Sequence, residues 1–291
     1  MSSGQTLLVT GASGQLGRRV VELLLESSET DIIATTRTPD KLADLAQRGV
    51  DVRYASFDEP DSLASAFAGA DRLLLISTDA LGERQRQHEA AVDAAVAAGV
   101  KHILYTSLIS ADDTPVTLGP EHVATENAIA ASGVSYTFLR NNVYAETLIR
   151  ALTQAQSMDG QLFSAMGDGK VAYVTREDCA QAASAALADS FDGKRILDIT
   201  GPEALSQHDI AELGTSIGSQ PITYIPLPTD TLAENLVQAG LPKSVADLIT
   251  SFDAAAAQGK QDKVSSAVED LTGRKPIHVA DFLAANLPSS S

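Results

Sequence analysis

Between a short apolar run and a leucine-rich stretch the chain carries Val9-Thr10-Gly11-Ala12-Ser13-Gly14-Gln15-Leu16-Gly17. Glycines at this spacing, in a turn from strand to helix, are suited to holding a phosphorylated ligand. Gly11 permits the tight turn, Gly14 lets the backbone close on a pyrophosphate, and Gly17 allows helix and strand to pack closely. The first N–H groups of the helix then face the phosphate charge. A strand before the motif, a helix after it and a position near the N-terminus point to a dinucleotide rather than to an ordinary glycine-rich turn.

The end of the next apolar run decides which dinucleotide. A site for NAD usually has an acidic residue there to accept from the ribose hydroxyls, whereas this chain has Thr35-Thr36-Arg37-Thr38, with Lys41 shortly after. A carboxylate would repel a 2′-phosphate and Arg37 would bind it, so NADP(H) is favoured over the plain alternative of a solvated surface arginine. Weaker candidates stand at other strand ends. Asp58 could accept from an adenine amino group or cap a helix. Ser77 and Thr78, and Thr106 and Ser107, could line the nicotinamide ribose or simply terminate their strands.

These residues need a scaffold that brings strand ends together. Apolar runs at 6–10, 31–36, 52–56, 72–77, 101–107 and 135–140 alternate with amphipathic stretches such as Leu16, Val20, Leu23 and Leu24, which is the rhythm of βαβ units. Most runs are apolar on both faces, as buried parallel strands are. Gly49, Gly69, Gly99 and Gly133 stand just before the next strand, where a left-handed residue ends a helix. Right-handed crossovers then predict an α/β fold, a doubly wound parallel sheet of extended Rossmann type.

Residues 1–150 read as the dinucleotide-binding domain, with 171–200 returning to it through a strand at 195–200 and a capping box at Thr175-Arg-Glu-Asp178. Residues 151–170 and 201–291 read as a smaller α+β lobe over the carboxyl ends of the strands. A helix opened by Ser206-Gln-His-Asp209, a short run at 222–227 and helical segments at 230–239, 243–258 and 279–285 make it up. The closing Ser289-Ser290-Ser291 reads as frayed.

Composition narrows the partners. Among 291 residues, 21 Lys and Arg against 38 Asp and Glu give a net charge of −17, which disfavours nucleic acid and anionic membranes. No apolar run approaches the roughly 20 residues that span a bilayer, and no leader precedes the first strand, so a cytoplasmic location is the expectation. The one cysteine, Cys179, sits among alanines and reads as a small buried hydrophobe, without disulfide or zinc chemistry.

Longer segments carry a resemblance. The Thr10–Gly17 opening, Lys101-His-Ile-Leu-Tyr-Thr-Ser107, His122-Val-Ala-Thr-Glu126 and Tyr136-Thr-Phe-Leu-Arg-Asn141-Asn-Val-Tyr144 are similar to those of the NmrA-like, atypical short-chain dehydrogenase family. Tyr173-Val-Thr-Arg-Glu-Asp178, Leu271-Thr-Gly-Arg-Lys-Pro276 and Asp281-Phe-Leu-Ala-Ala-Asn286 extend the likeness over nearly the whole chain. Within the family it resembles the NAD(P)H:quinone oxidoreductase and triphenylmethane reductase branch. The resemblance implies that Gly11 through Leu16, Arg37, Ser77 and Thr78 hold the cofactor, with Asn141 to Glu146 near the nicotinamide.

One feature of ordinary short-chain dehydrogenases is missing. Their Tyr-x-x-x-Lys pair exchanges a proton with a carbonyl or alcohol, and here His122 and Glu126 stand at the corresponding place, on one helical face. The loss favours acceptors that take hydride readily, such as quinones or dyes, where holding an aromatic ring against the nicotinamide supplies most of the catalysis. His122 is a candidate proton donor or a structural helix-face residue. Tyr144 and Asn141, expected to be exposed between the lobes, could sandwich a flat acceptor, with Tyr144 as an alternative donor or an interface residue. A non-catalytic NADP(H)-binding redox sensor and a ketone or C=C reductase are the rival functions, and a homodimer is compatible with the sequence.

Overall fold

The apolar runs become the strands of one sheet in the computed structural model, which describes residues 4–27, 30–218 and 220–287. They are β1 (Leu7–Val9), β2 (Ile32–Thr36), β3 (Asp51–Tyr54), β4 (Arg72–Leu75), β5 (His102–Leu108) and β6 (Ser135–Asn141). The helices between them are α1 (Gln15–Ser27), α2 (Ala43–Gln47), α3 (Pro60–Phe67), α4 (Arg84–Ala97) and α5 (Gly119–Ala131). Next come α6 (Glu146–Ser157), β7 (Gln161–Ser164), β8 (Lys170–Val171), α7 (Arg176–Ala188) and β9 (Lys194–Ile199). The chain closes with β10 (Leu205–Ser206), α8 (Gln207–Ile217), β11 (Thr223–Pro226), α9 (Thr229–Gln238), α10 (Lys243–Ala257), α11 (Ala267–Thr272) and α12 (Val279–Asn286).

The central sheet is parallel in the order β3-β2-β1-β4-β5-β6-β9. Because successive strand residues face opposite sides, Leu7 and Val9 pack with Val20, Val21 and Leu24 of α1 and the alanines of α7. Leu8 packs on the other side with Leu63 and Phe67 of α3 and Ala91 and Val92 of α4. The sheet is therefore covered on both faces, as its apolar strands required. Gly49, Gly69, Gly99 and Gly133 all adopt positive φ, between 79° and 95°, at the helix-to-strand turns assigned to them.

A third cluster joins α6, α8 and α12 around Leu148, Leu152, Ile210, Val279 and Leu283. It is tied by two small sheets, β7 parallel to β11 and β8 antiparallel to β10. The loop after α10 crosses the carboxyl end of β6, where the Gln261 carbonyl accepts from Asn142 Nδ2 and Ala172 N–H (2.8 Å each). Thr175 caps α7 by accepting from Asp178 N–H (3.0 Å), and Ser206 and Asp209 close the full reciprocal box on α8. The reading of Ser289-Ser290-Ser291 lies outside the described residues. Among the described residues no helix is long and apolar enough to cross a membrane.

Candidate cofactor and active site

Strand order reverses between β1 and β4, and the glycine loop sits at that switch, at the carboxyl end of β1. Thr10 staples the two strands there: its hydroxyl donates to the Leu74 carbonyl (3.1 Å) and accepts from Ile76 N–H (2.9 Å). Gly11 takes a left-handed φ of 60°, and Ala12 N–H returns to the Thr35 carbonyl of β2 (3.0 Å). Arg18 is the first residue of α1 to bond backwards, to the Gly14 carbonyl (3.0 Å), so the N–H groups of Gln15, Leu16 and Gly17 look out of the helix end. Gly17 shows why no side chain is tolerated: a Cβ would stand 2.6 Å from the Gly11 carbonyl oxygen and 3.0 Å from Ala12 Cα. Ser13, Gly14 and Gln15 are exposed while Ala12 and Leu16 are buried beneath them.

At the end of β2, Arg37 is exposed, and within the described residues its guanidinium makes neither a hydrogen bond nor an ion pair. The next hydroxyls are ordered toward the loop: Thr36 Oγ1 donates to Ser13 Oγ (2.8 Å) and accepts from Thr38 N–H (3.1 Å). Asp58, exposed past β3, does not cap α3. Its Oδ1 instead accepts from Gln87 Nε2 (2.9 Å) and Arg86 Nη2 (2.8 Å). Gln87, then Arg86, holds the carboxyl below its usual range, and the charge of Arg37 acts in the same direction.

Ser77 and Thr78 follow β4 and are gripped from behind. Ser77 N–H donates to Thr106 Oγ1 (2.8 Å), while Thr78 N–H donates to His88 Nε2 (3.1 Å). That bond makes Nε2 the acceptor and places the ring proton on Nδ1, which donates to Thr125 Oγ1 (3.0 Å). Burial pushes the His88 pKa down to about 3, so the ring is neutral. Arg84 donates to the Thr78 carbonyl through Nε and Nη2 (2.8 and 2.6 Å) and to Glu121 (2.7 Å). Sequence reasoning gave His88 no role and passed over Arg84 and Gln87. They share a helix face with buried Ala91, Val92 and Ala95, and polar residues on an otherwise apolar stripe were the available signal.

His122 and Glu126 lie on one face of α5 but turn to separate partners. His122 Nδ1 pairs with Tyr105 Oη (2.8 Å), and burial lowers its pKa to about 3. Glu126 receives Arg140 through two bonds (2.9 and 2.7 Å) and the Ser107 hydroxyl (2.6 Å), so Ser107 is engaged in this buried network.

Asn141 and Tyr144 correct an expectation: neither is the exposed group anticipated between the lobes. Asn141 is buried, its Nδ2 donating to Tyr144 Oη (3.2 Å), and Tyr144 is half-buried against the core with the Arg176 guanidinium 5.2 Å from its ring centre. The cause is a backbone link in which Val174 N–H bonds the Val143 carbonyl (3.1 Å) and Ala145 N–H bonds the Val174 carbonyl (2.9 Å). Arg176, unforeseen, also donates to Gln15 Oε1 of the glycine loop, and its backbone N–H donates to Glu146 Oε1 (2.9 Å). The pair Gln15–Arg176 thus ties the loop to the Asn141–Glu146 segment. Cys179 is buried, and desolvation raises its thiol pKa well above the usual value. Among the described residues no group of three or more His, Cys, Asp or Glu could hold a metal ion.

A doubly wound parallel sheet whose order reverses beside a glycine loop defines a Rossmann-type α/β protein. The chain belongs to the NmrA-like family, which it matches over residues 3–283. It is 36% identical to quinone oxidoreductase 2 of Escherichia coli K12 over 279 residues, 96% of this chain and 97% of the relative. The structure of the NADPH-dependent quinone oxidoreductase of Escherichia coli complexed with NADPH superposes with a TM-score of 0.92 at 35% identity, covering 96% of this chain and 99% of the other. The triphenylmethane reductase of Citrobacter sp. complexed with NADP(H) gives 0.90 at 31% identity, covering 97% and 100%.

Proposed function

We propose that the protein is an NADPH-dependent oxidoreductase that transfers hydride to quinone-like or dye-like aromatic acceptors. The observation that carries this reading is the exposed Arg37 at the end of β2, without a hydrogen bond or ion pair among the described residues, in a chain 36% identical to a quinone oxidoreductase. The residues fit the cofactor. The outward N–H groups of α1 suit a diphosphate, and Arg37 with the Ser13 and Thr36 hydroxyls suits the 2′-phosphate. Thr35 Oγ1 and Thr78 Oγ1, at or just past strand ends, and Glu146 Oε2, at the start of α6, are buried without hydrogen-bond partners, and unpaired polar atoms are what a polar ligand would satisfy. Asp58 is assigned to the adenine, Ser77 and Thr78 to the nicotinamide ribose, and Asn141 and Tyr144 to the nicotinamide side.

When bound, NADPH supplies a hydride, that is, two electrons and a proton together. The chain's own contribution is placement and exclusion of water. His122 is neutral and paired to Tyr105, and Glu126 is held by Arg140, so no Tyr-Lys type acid–base pair is present at that place. Acceptors whose reduced oxyanion takes its proton from water need none. The lobe of residues 151–170 and 201–291 is assigned to the acceptor, and residues 1–150 with 171–200 to the nucleotide. A cytoplasmic location accompanies the reading, since a single buried thiol suits a reducing compartment.

Arg37→Glu tests the cofactor assignment by steady-state kinetics. Loss of one charge-assisted contact, about 1.5–3 kcal/mol, raises KM for NADPH by roughly 10–150-fold and leaves KM for NADH nearly unchanged. Equal effects on both coenzymes overturn the assignment.

A further inference from the structure

We infer that Gln87 is a specificity residue for the coenzyme's base: its side-chain carbonyl oxygen accepts a hydrogen from the exocyclic amine of adenine. The inference rests on the dinucleotide reading above and adds a residue to it. Gln87 is 6% exposed, and its Oε1 is buried without a hydrogen-bond partner. The orientation of the amide is fixed by its neighbour, because Asp58 as a carboxylate accepts only. Nε2 must therefore face Asp58 Oδ1 (2.9 Å), which leaves the oxygen as the orphan. A buried acceptor without a donor costs free energy unless a ligand or water supplies one.

The position selects the ligand group. The base is joined to the same ribose that carries the 2′-phosphate, so it lies within a ring's reach of Arg37. The strand end beside Arg37 is that of β3, where Asp58 and Phe57 stand. Gln87 and Arg86 reach this strand end from α4, and the Phe57 ring packs edge-on 6.3 Å from His88. The Asp58 carboxylate and the Gln87 amide thus adjoin at this strand end, and a ring amine carries two hydrogens, one for each acceptor.

The test compares NADPH with its hypoxanthine analogue, in which an oxygen replaces the amine, by calorimetry on the intact protein. The wild type binds the analogue about tenfold more weakly, because acceptor then meets acceptor. Gln87→Met keeps the side chain's length and removes one of the two acceptors, so the preference shrinks to about threefold, the part left to Asp58, with melting temperature read alongside. A wild type that binds both coenzymes equally overturns the inference while leaving the dinucleotide reading intact, and needs no variant to fold. An undiminished preference in Gln87→Met overturns it too, assigning discrimination to Asp58 alone. No uptake of NADPH by the wild type removes the dinucleotide reading and the inference together.

Discussion

Gly17→Ala is the substitution for which the structure sets the size of the effect. The added methyl would stand 2.6 Å from the Gly11 oxygen and 3.0 Å from both Ala12 Cα and the Gly11 carbonyl carbon, all backbone atoms that cannot rotate away. Helix α1 must retreat from the loop by at least about half an ångström to restore ordinary contact, an overpacking cost of about 1–3 kcal/mol. For a chain of 291 residues that lowers the melting temperature by about 2–5 °C. The Gly11 carbonyl also accepts from Gly14 N–H (2.9 Å), so the displaced loop loses the outward aim of its N–H groups. One or two charge-assisted bonds to phosphate at about 1.5 kcal/mol each correspond to a 10–150-fold rise in the NADPH dissociation constant. Scanning calorimetry and titration with NADPH read the two effects separately. Gly14→Ala is the control for melting alone, since its Cβ meets the same oxygen at 3.2 Å and asks for a shift of only tenths of an ångström. A Gly17→Ala protein that melts and binds like the wild type refutes the close-approach argument.

Arg72→Met tests a part of the scaffold remote from the site. The buried Arg72 guanidinium donates to the carbonyls of Leu187 (2.9 Å), Phe191 (2.9 Å) and Ala186 (3.2 Å), closing the end of α7, so its loss costs about 3 kcal/mol in denaturant unfolding without altering NADPH affinity. Stability also depends on pH through buried histidines. Burial lowers the pKa of His88 and His122 to about 3 and of His102 to about 4, against an ordinary 6.5. The unfolded chain gains protons below about pH 6.5 while the native one does not until about pH 3–4, so this stability is full above 6.5 and is lost as pH falls through that window. The melting temperature drops between pH 6.5 and 5.0, and His88→Gln makes the slope shallower; a flat profile contradicts the neutral, buried placement.

The sheet was legible because parallel strands covered on both faces are apolar throughout, and α2, α3, α4 and α5 are each followed by a glycine that takes positive φ. β7, β8 and β10 were not, since two to four residues such as Lys170–Val171 carry no period and owe their form to partners distant in sequence. At the site, the positions of the loop and of Arg37 could be read because they stand at the ends of β1 and β2, which the apolar runs mark. Arg84, Gln87 and His88 act through contacts to Thr78 and Asp58 that exist only once α4 is docked. The exposed reading of Asn141 and Tyr144 fails for the same reason, while the interface reading of Tyr144 stands: the bridge of Tyr144 to Val174 joins segments whose proximity no local pattern encodes.

The central claim is that one guanidinium at the end of β2 selects the phosphorylated coenzyme. Titration calorimetry of the unmodified protein with NADPH and NADH tests it most directly. The account predicts uptake of NADPH at one site per chain, with NADH at least tenfold weaker and the difference shrinking as salt is raised. Equal affinity for the two, or no heat with either, contradicts it.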